Sequence, residues 1–129
     1  MNTANPYRFD FSIVVALALL SGSVQAQEAS LSSEEVRAAW TDKTVMGTLV
    51  GGPLGGRSIE LQLKSDGTAS VSGAVTDTGT WRLPGQGYCA TWTKIRAGQE
   101  RCFTVVRKGT DTLVVNPDGS VSTLISAVR

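Results

Sequence analysis

The sequence predicts a mainly β domain, an antiparallel meander that forms a small barrel or curved sheet of about seven strands. Three observations lead to this fold class. Short segments in which apolar and polar residues alternate follow one another along the chain, as in Ile59–Leu63. Turn-forming Gly, Asn, Asp and Pro residues separate them at roughly ten-residue intervals. Helical periodicity appears once, near the start of the domain, and the two cysteines of the chain suggest one disulfide.

Residues 1–26 are expected to be a secretory signal peptide that does not belong to the domain. Arg8 precedes the apolar run Phe11–Leu20, and small residues before Gln27 provide a cleavage site after Ala26. The apolar run is shorter than the about 20 residues that a membrane span needs. We therefore expect a single domain over residues 27–129 and a periplasmic or secreted location.

The first element of the domain is predicted to be a short helix over Ser33–Trp40. Ser32 and Glu35 have the spacing of a capping box, in which each side chain accepts from the backbone amide of the other residue. Val36 and Trp40 lie four residues apart and give the helix one apolar face. A helix with one apolar face is expected to pack against an end of the barrel.

Strands and turns are expected to alternate after this helix. Ile59–Leu63 is the clearest strand, and a hairpin turn at Asp66-Gly67 follows it. The segment Gly47–Gly56 is rich in glycine, so we expect a loop or a bent, irregular first strand there. Gln27–Leu31 is expected to be a polar linker. Further strands are predicted over residues 69–73, 79–83, 88–95, 101–107, 112–115 and 121–127.

The charge of the chain is small and scattered. The sequence contains 12 Lys and Arg residues and 11 Asp and Glu residues, which gives a net charge of +1. Proteins that bind nucleic acids carry a basic face or stripe, and the sequence contains no such cluster. We therefore expect no nucleic-acid partner and no stable membrane span after signal cleavage.

Cys89 and Cys102 are expected to form an intramolecular disulfide, because paired cysteines in an exported chain are normally oxidised. Closing a loop of this size stabilises a fold by about 3 kcal/mol in the chain-entropy model. A directly opposed pair would centre the hairpin between Ile95 and Arg96, whereas the turn signal at Gly98 lies further on. The loop is therefore expected to be asymmetric with a bulge, or the disulfide not to be a simple cross-strand pair.

The residue types of the common catalytic and metal sites are missing from the sequence. The chain has no histidine, which removes the usual general base near neutral pH and every triad built on histidine. With both cysteines in a disulfide, no thiolate nucleophile remains and zinc lacks its usual ligands. Acidic residues such as Asp66 and Asp118 precede glycine in turns, where Asp is favoured for backbone reasons. We therefore expect no enzymatic activity, no catalytic or metal site and no cofactor.

One glycine pattern matches a known motif in spacing alone. Gly85, Gly87 and Ala90 follow the spacing of a dinucleotide-binding fingerprint, which needs a strand before it and a helix after it. A β-type segment follows these residues instead of a helix. We therefore interpret the match as chance.

The order of landmarks along the domain is similar to that of a bacterial family. It resembles the small exported proteobacterial proteins of domain-of-unknown-function family 995, which implies an exported bacterial β domain. The exported, one-disulfide pattern with Gly-x-Trp also resembles bacterial metalloprotease inhibitors of lipocalin-like shape, although Gly79-Thr80-Trp81 lies mid-chain here. The landmarks are the capped helix, Gly47-Thr48, Asp66-Gly67-Thr68, Gly79-Thr80-Trp81, Cys89, Trp92, Cys102-Phe103 and Asp118-Gly119.

The leading hypothesis for function is a non-catalytic exported domain that binds a protein partner or associates with the cell envelope. Val50 and Leu54 are the candidate partner-binding residues, because exposed apolar residues on a glycine-rich loop are a liability unless a partner covers them. The alternatives are a lipocalin-like inhibitor of an extracellular protease and a carrier of a small apolar ligand. In the carrier, aromatic residues such as Tyr88 and Trp92 line a pocket at the barrel mouth, whereas otherwise they fill the core.

Overall fold

The computed structural model describes residues 28–129, so the expected signal peptide and its cleavage after Ala26 lie outside the described residues. The described chain forms one α-helix and nine strands. A 3₁₀ turn, Ile95–Gly98, lies between the sixth and seventh strands. In chain order the elements are β1 Glu28–Ser30, α1 Ser33–Trp40, β2 Thr44–Leu49, β3 Ser58–Leu63, β4 Thr68–Gly73, β5 Asp77–Arg82, β6 Tyr88–Trp92, β7 Arg101–Lys108, β8 Asp111–Val115 and β9 Val121–Val128.

Strands β2 to β9 form a closed antiparallel barrel of 8 strands, which confirms the predicted fold class. Each strand pairs with the next one along the chain, and β9 pairs with β2 to complete the circle. Closure removes the unpaired edges that an open meander would leave. The short strand β1 lies beside β7, where Ser30 is opposite Val106.

The structure adds two strands to the about seven that the alternation predicts. The linker prediction is wrong for Glu28–Ser30, whose three exposed residues show no alternation but pair with the end of β7. Strand β2 takes up the start of the segment expected to be a loop or an irregular strand. A register shift against β9 between Met46 and Gly47 makes β2 irregular, which agrees with the second of those alternatives.

Helix α1 has the predicted bounds and covers one end of the barrel. The capping box is confirmed, with the Ser32 amide 2.9 Å from Glu35 Oε1 and the Glu35 amide 3.1 Å from Ser32 Oγ. Val36 and Trp40 are buried, and the Trp40 ring lies 5.9 Å from the ring of Tyr88 between centroids. Because α1 occupies this end of the barrel, we call it the closed end.

The antiparallel order places the connections alternately at the two ends of the barrel. The β3–β4, β5–β6 and β7–β8 connections lie at the closed end with α1. Ser33 ties the helix to this end, because its Oγ donates to Gly87 O and accepts from the Gly85 amide. The β2–β3, β4–β5, β6–β7 and β8–β9 connections lie at the opposite end, which we call the open end.

The hydrophobic core fills the barrel from α1 to its middle. Leu63, Val45 and Val105 are among its most completely buried side chains. Partly buried residues such as Ile59, Val75 and Ile95 extend the apolar lining toward the open end. The core residues are Leu31, Val36, Trp40, Val45, Leu61, Leu63, Ala69, Val71, Tyr88, Ala90, Trp92, Phe103, Val105 and Val114.

Candidate ligand-binding cavity

A cavity of about 210 Å³ lies inside the barrel toward the open end. Its walls are mostly aliphatic and aromatic, and only a few polar groups reach it. An engineered apolar cavity of about 150 Å³ is large enough to bind benzene, so this space admits a small ligand. The lining residues are Leu49, Ile59, Leu61, Val71, Val75, Tyr88, Trp92, Ile95, Arg96, Phe103, Val114, Ser122 and Thr123.

Three aromatic side chains on β6 and β7 form one wall of the cavity. Tyr88, Trp92 and Phe103 all line it, and the rings of Tyr88 and Phe103 lie 5.3 Å apart between centroids. Burial raises the pKa of the Tyr88 phenol well above its usual range, so this hydroxyl stays protonated. Trp40 packs behind Tyr88 on the helix side. Tyr88 and Trp92, expected either to fill the core or to line a pocket, therefore do both.

Arg96 is the charged residue among those that line the cavity. Its guanidinium carbon lies 5.4 Å from the centroid of the Phe103 ring. Nη1 is buried and has no hydrogen-bond partner in the described part of the chain. Burial lowers the pKa of Arg96, and the like charge of Arg101 lowers it further, so the surroundings disfavour the cation. The cavity thus combines apolar walls with one unsatisfied cationic donor.

The conformation of the β6–β7 connection holds Arg96 in this position. The predicted strand over residues 88–95 ends at Trp92, and the chain enters the 3₁₀ turn instead. Arg96 has φ 55° and Ala97 has φ 53°, and Gly98 follows with φ 75°. Left-handed backbone at two successive non-glycine residues is strained and persists only where surrounding contacts fix it.

Asp77 supplies contacts that fix this connection. Its carboxylate accepts from the amides of Lys94 at 2.8 Å and Ile95 at 2.9 Å, and from its neighbour Thr78 at 2.8 Å. The side chain is buried, with 6% of Asp77 exposed. These hydrogen bonds, the one from Ile95 above all, lower the pKa of Asp77. The carboxylate is therefore ionised and bound to backbone, and it serves as an anchor for the turn.

The predicted disulfide between Cys89 and Cys102 is confirmed. Both alternatives offered for its geometry are wrong, because Cys89 lies directly opposite Cys102 in an unshifted β6–β7 ladder. The ladder stops at Ala90 and Arg101, which leaves a connection wide enough to contain Gly98 without a bulge. Side chains alternate across a strand, so the bond lies on the outer face while the neighbouring Tyr88 faces the cavity.

Cys89, Glu100 and Cys102 bring potential metal-ligand atoms within 4.8 Å of one another. Disulfide sulfurs are not thiolates and do not serve as metal ligands in the usual way. Glu100 is also engaged, because Arg82 forms a two-point ion pair with it at 2.7 and 2.9 Å. The chemistry of this donor set does not fit a metal site.

The two candidate partner-binding residues lie in the β2–β3 connection at the open end. Val50 is 46% exposed and Leu54 is half-buried. Neither residue lines the cavity, although the preceding Leu49 does. Backbone hydrogen bonds from Gly56 to Leu49 O and from Arg57 to Leu54 O give this connection a defined conformation. The candidate loop therefore forms part of the cavity rim.

Sequence reasoning missed Arg96 and the anchoring role of Asp77. Arg96 lies between Lys94 and Gly98 in a segment whose composition is that of a solvated loop. The direction of the Arg96 side chain depends on a left-handed backbone, and a non-glycine residue in the sequence does not indicate this conformation. Asp77 meets the amides of Lys94 and Ile95 only through folding, and it lies just before the strand predicted over residues 79–83, so the sequence did not indicate its role.

Compared with known proteins, the chain matches no family model, no curated protein and no solved structure. The resemblance to domain-of-unknown-function family 995 therefore stays a prediction. Within residues 28–129, no helix has the length and apolar character needed to cross a membrane. A small closed β-barrel with a ligand-sized internal cavity is the class of protein that the fold and the site define.

Proposed function

We propose that this protein binds a small apolar ligand in the cavity at the open end of the barrel. The observation that carries the proposal is the apolar cavity itself, which residues of β2 to β4 and β6 to β9 line. Binding sites of small molecules are concave and mostly apolar, with few polar groups that set orientation. Among the three functions expected from the sequence, the carrier thus has the most direct structural support.

The cavity volume limits the size of the ligand. Scaling from the about 150 Å³ that accommodates the six carbons of benzene to the about 210 Å³ of this cavity gives a ligand of about eight non-hydrogen atoms. Small ligands gain at most about 1.5 kcal/mol of binding free energy per non-hydrogen atom, and drug-sized ligands gain about 0.3 kcal/mol. We expect about half of the upper value for a ligand of this size. The expected dissociation constant is on the order of 10–100 µM for a simple hydrocarbon.

Titration with toluene, a neutral apolar probe, tests this proposal. Binding should change the fluorescence of Trp92, which lines the cavity, and raise the melting temperature. Val75→Trp places an indole at the cavity wall and should abolish binding. Val50→Trp adds the same side chain at the exposed rim and should leave binding intact. Equal binding by both variants, or none by the wild type, would contradict the proposal.

We also propose that the protein is exported and acts without catalysis. A disulfide supports an oxidising compartment, and the lack of histidine supports a binding role. Mass spectrometry of the protein from periplasm or medium should find an N-terminus at Gln27. An intact N-terminus retained in the membrane would contradict the export proposal, and turnover that one carboxylate substitution abolishes would contradict the binding role.

Protein binding at the rim is the second candidate, supported by the exposure of Val50 next to the cavity mouth. Leu54→Asp should weaken capture of an envelope protein and leave the melting temperature nearly unchanged. Loss of folding in this variant would place Leu54 in the core and contradict the candidate. The protease-inhibitor alternative stays a prediction, and a panel of extracellular proteases tests it.

A further inference from the structure

We infer that the ligand is a small monocarboxylate whose apolar body fills the cavity and whose carboxylate pairs with Arg96. This inference rests on the proposed ligand-binding function and adds the chemical class of the ligand. The observation that carries it is the buried Nη1 of Arg96, which has no partner in the described part of the chain. This donor belongs to the wall of a cavity that is otherwise mostly apolar.

The acidic groups around the open end are engaged elsewhere. Glu100 pairs with Arg82, and Asp77 accepts from backbone amides. Asp118 accepts from the amide and hydroxyl of Ser120. Arg96 itself forms no ion pair within residues 28–129. Arg96 is half-buried, but its buried Nη1 donor lacks an acceptor, which is unfavourable, so an anionic ligand would satisfy a group that the fold leaves open.

The surroundings of Arg96 favour an anion over a neutral or cationic ligand. Arg101 lies near enough to lower the pKa of Arg96 by charge repulsion, so the region is electropositive. The phenol of Tyr88, which stays protonated, also lines the cavity and offers a second donor. An arginine and a neutral hydroxyl are both hydrogen-bond donors to a carboxylate.

The fold holds Arg96 in place before any ligand arrives. Its left-handed backbone sets the direction of the side chain, and the Phe103 ring supports the guanidinium at 5.4 Å. Asp77 anchors the start of the turn, and the Cys89–Cys102 bond joins the strands on both sides of it. A donor that is already oriented loses little conformational entropy on binding. These contacts explain why a strained conformation is maintained at this position.

A matched series of one-ring probes tests the inference. Benzoate, benzyl alcohol, toluene and benzylammonium share an apolar ring and differ in charge, and each has about the size that the cavity accepts. Wild-type protein should bind benzoate at least about tenfold more tightly than benzyl alcohol, because hydrogen bonds to charged groups are the stronger ones. Benzylammonium should bind most weakly. Isothermal titration calorimetry at neutral pH measures all four.

Three substitutions identify the group that produces the preference for benzoate. Arg96→Met should remove the advantage of benzoate over benzyl alcohol while toluene still binds. Lys94→Met removes an exposed charge from the same connection, outside the cavity lining, and should preserve the advantage. Arg96→Lys keeps the positive charge and should retain part of the advantage of benzoate over benzyl alcohol. Melting temperatures show whether each variant folds. If Arg96→Met does not fold, the wild-type series still tests whether the cavity prefers a carboxylate.

The outcomes separate this inference from the proposed function. Toluene binding without a preference for benzoate would overturn the carboxylate inference and leave the apolar site standing. Binding of none of the four probes would overturn both. A benzoate preference that survives in folded Arg96→Met would show that another group recognises the anion, which also overturns the assignment to Arg96.

Discussion

Gly87 at the closed end and Ala97 at the open end both have left-handed backbone conformations. Gly87 starts the approach to β6 with φ 59°, and a Cβ there would overlap the carbonyl oxygen of Phe103. This close approach explains why glycine is needed at position 87, with no role for the dinucleotide fingerprint. Ala97 adopts φ 53° at the opposite end, although its side chain disfavours that conformation.

Gly87→Ala should lower the free energy of unfolding by more than about 2 kcal/mol, since backbone strain at φ > 0 and steric overlap add. Gly109→Ala is the matched control, because Gly109 has φ 64° but no atom within 4 Å of a Cβ. The control should lose only about 1 kcal/mol. Urea unfolding measures both values, and equal losses would contradict the close approach to Phe103.

Ala97→Gly should stabilise the protein by about 0.5–1 kcal/mol, because glycine relieves the left-handed strain although it increases the entropy of the unfolded chain. Ala38→Gly is a control of opposite sign, since Ala38 is exposed within helix α1. It should destabilise the protein by about 1 kcal/mol. Thermal unfolding compares the variants, and destabilisation by Ala97→Gly would show that the turn is not strained.

The β6–β7 connection illustrates how an element without regular structure becomes rigid. Asp77 binds two of its amides, Thr93 donates to Thr78 O through both its amide and its hydroxyl, and the disulfide closes its base. Backbone amides that a carboxylate satisfies need no strand partner. The connection can therefore leave the sheet and turn Arg96 into the cavity.

Lowering the pH should loosen this connection. The native pKa of Asp77 lies below its ordinary value of 3.8, so its contribution to stability is fully present above pH 3.8. That contribution is lost as the pH falls through the native pKa. Asp77→Asn removes the charge at every pH and should lower the melting temperature at pH 7. The difference between wild type and variant should shrink below pH 3.8, and a difference that stays constant would contradict the anchor.

Reduction of the Cys89–Cys102 bond should also destabilise the barrel. The bond spans a sequence separation of 13, for which the chain-entropy model gives about 3 kcal/mol. The melting temperature should fall on addition of a reductant. A variant with both cysteines replaced by alanine should melt at the reduced temperature and ignore the reductant. Two titratable thiols in the native protein would disprove the bond.

At the scale of the whole molecule, predictions based on local pattern succeeded. Helix α1 was predicted with its true bounds because the Ser32–Glu35 box and the Val36–Trp40 face are both local. A small barrel or curved sheet followed from strand spacing, and the pairing of β9 with β2 makes it a closed barrel. Strand β1 was missed because three exposed residues are too few to show alternation. Strand β2 was predicted only as one of two alternatives, because glycine and a register shift interrupt its pattern. The cavity depends on how strands distant in sequence meet, so only its aromatic lining was anticipated.

The arrangement of the chain ends affects how the barrel is presented to its surroundings. Glu28 pairs with Lys108 at the closed end, and Arg129 exchanges backbone hydrogen bonds with Thr44 there at 2.8 and 3.0 Å. A tether, fusion or sensor surface joined at either end of the described chain therefore attaches opposite the cavity mouth. The barrel would stand with its mouth outward, accessible to diffusing molecules, so immobilisation through either end leaves ligand entry unobstructed.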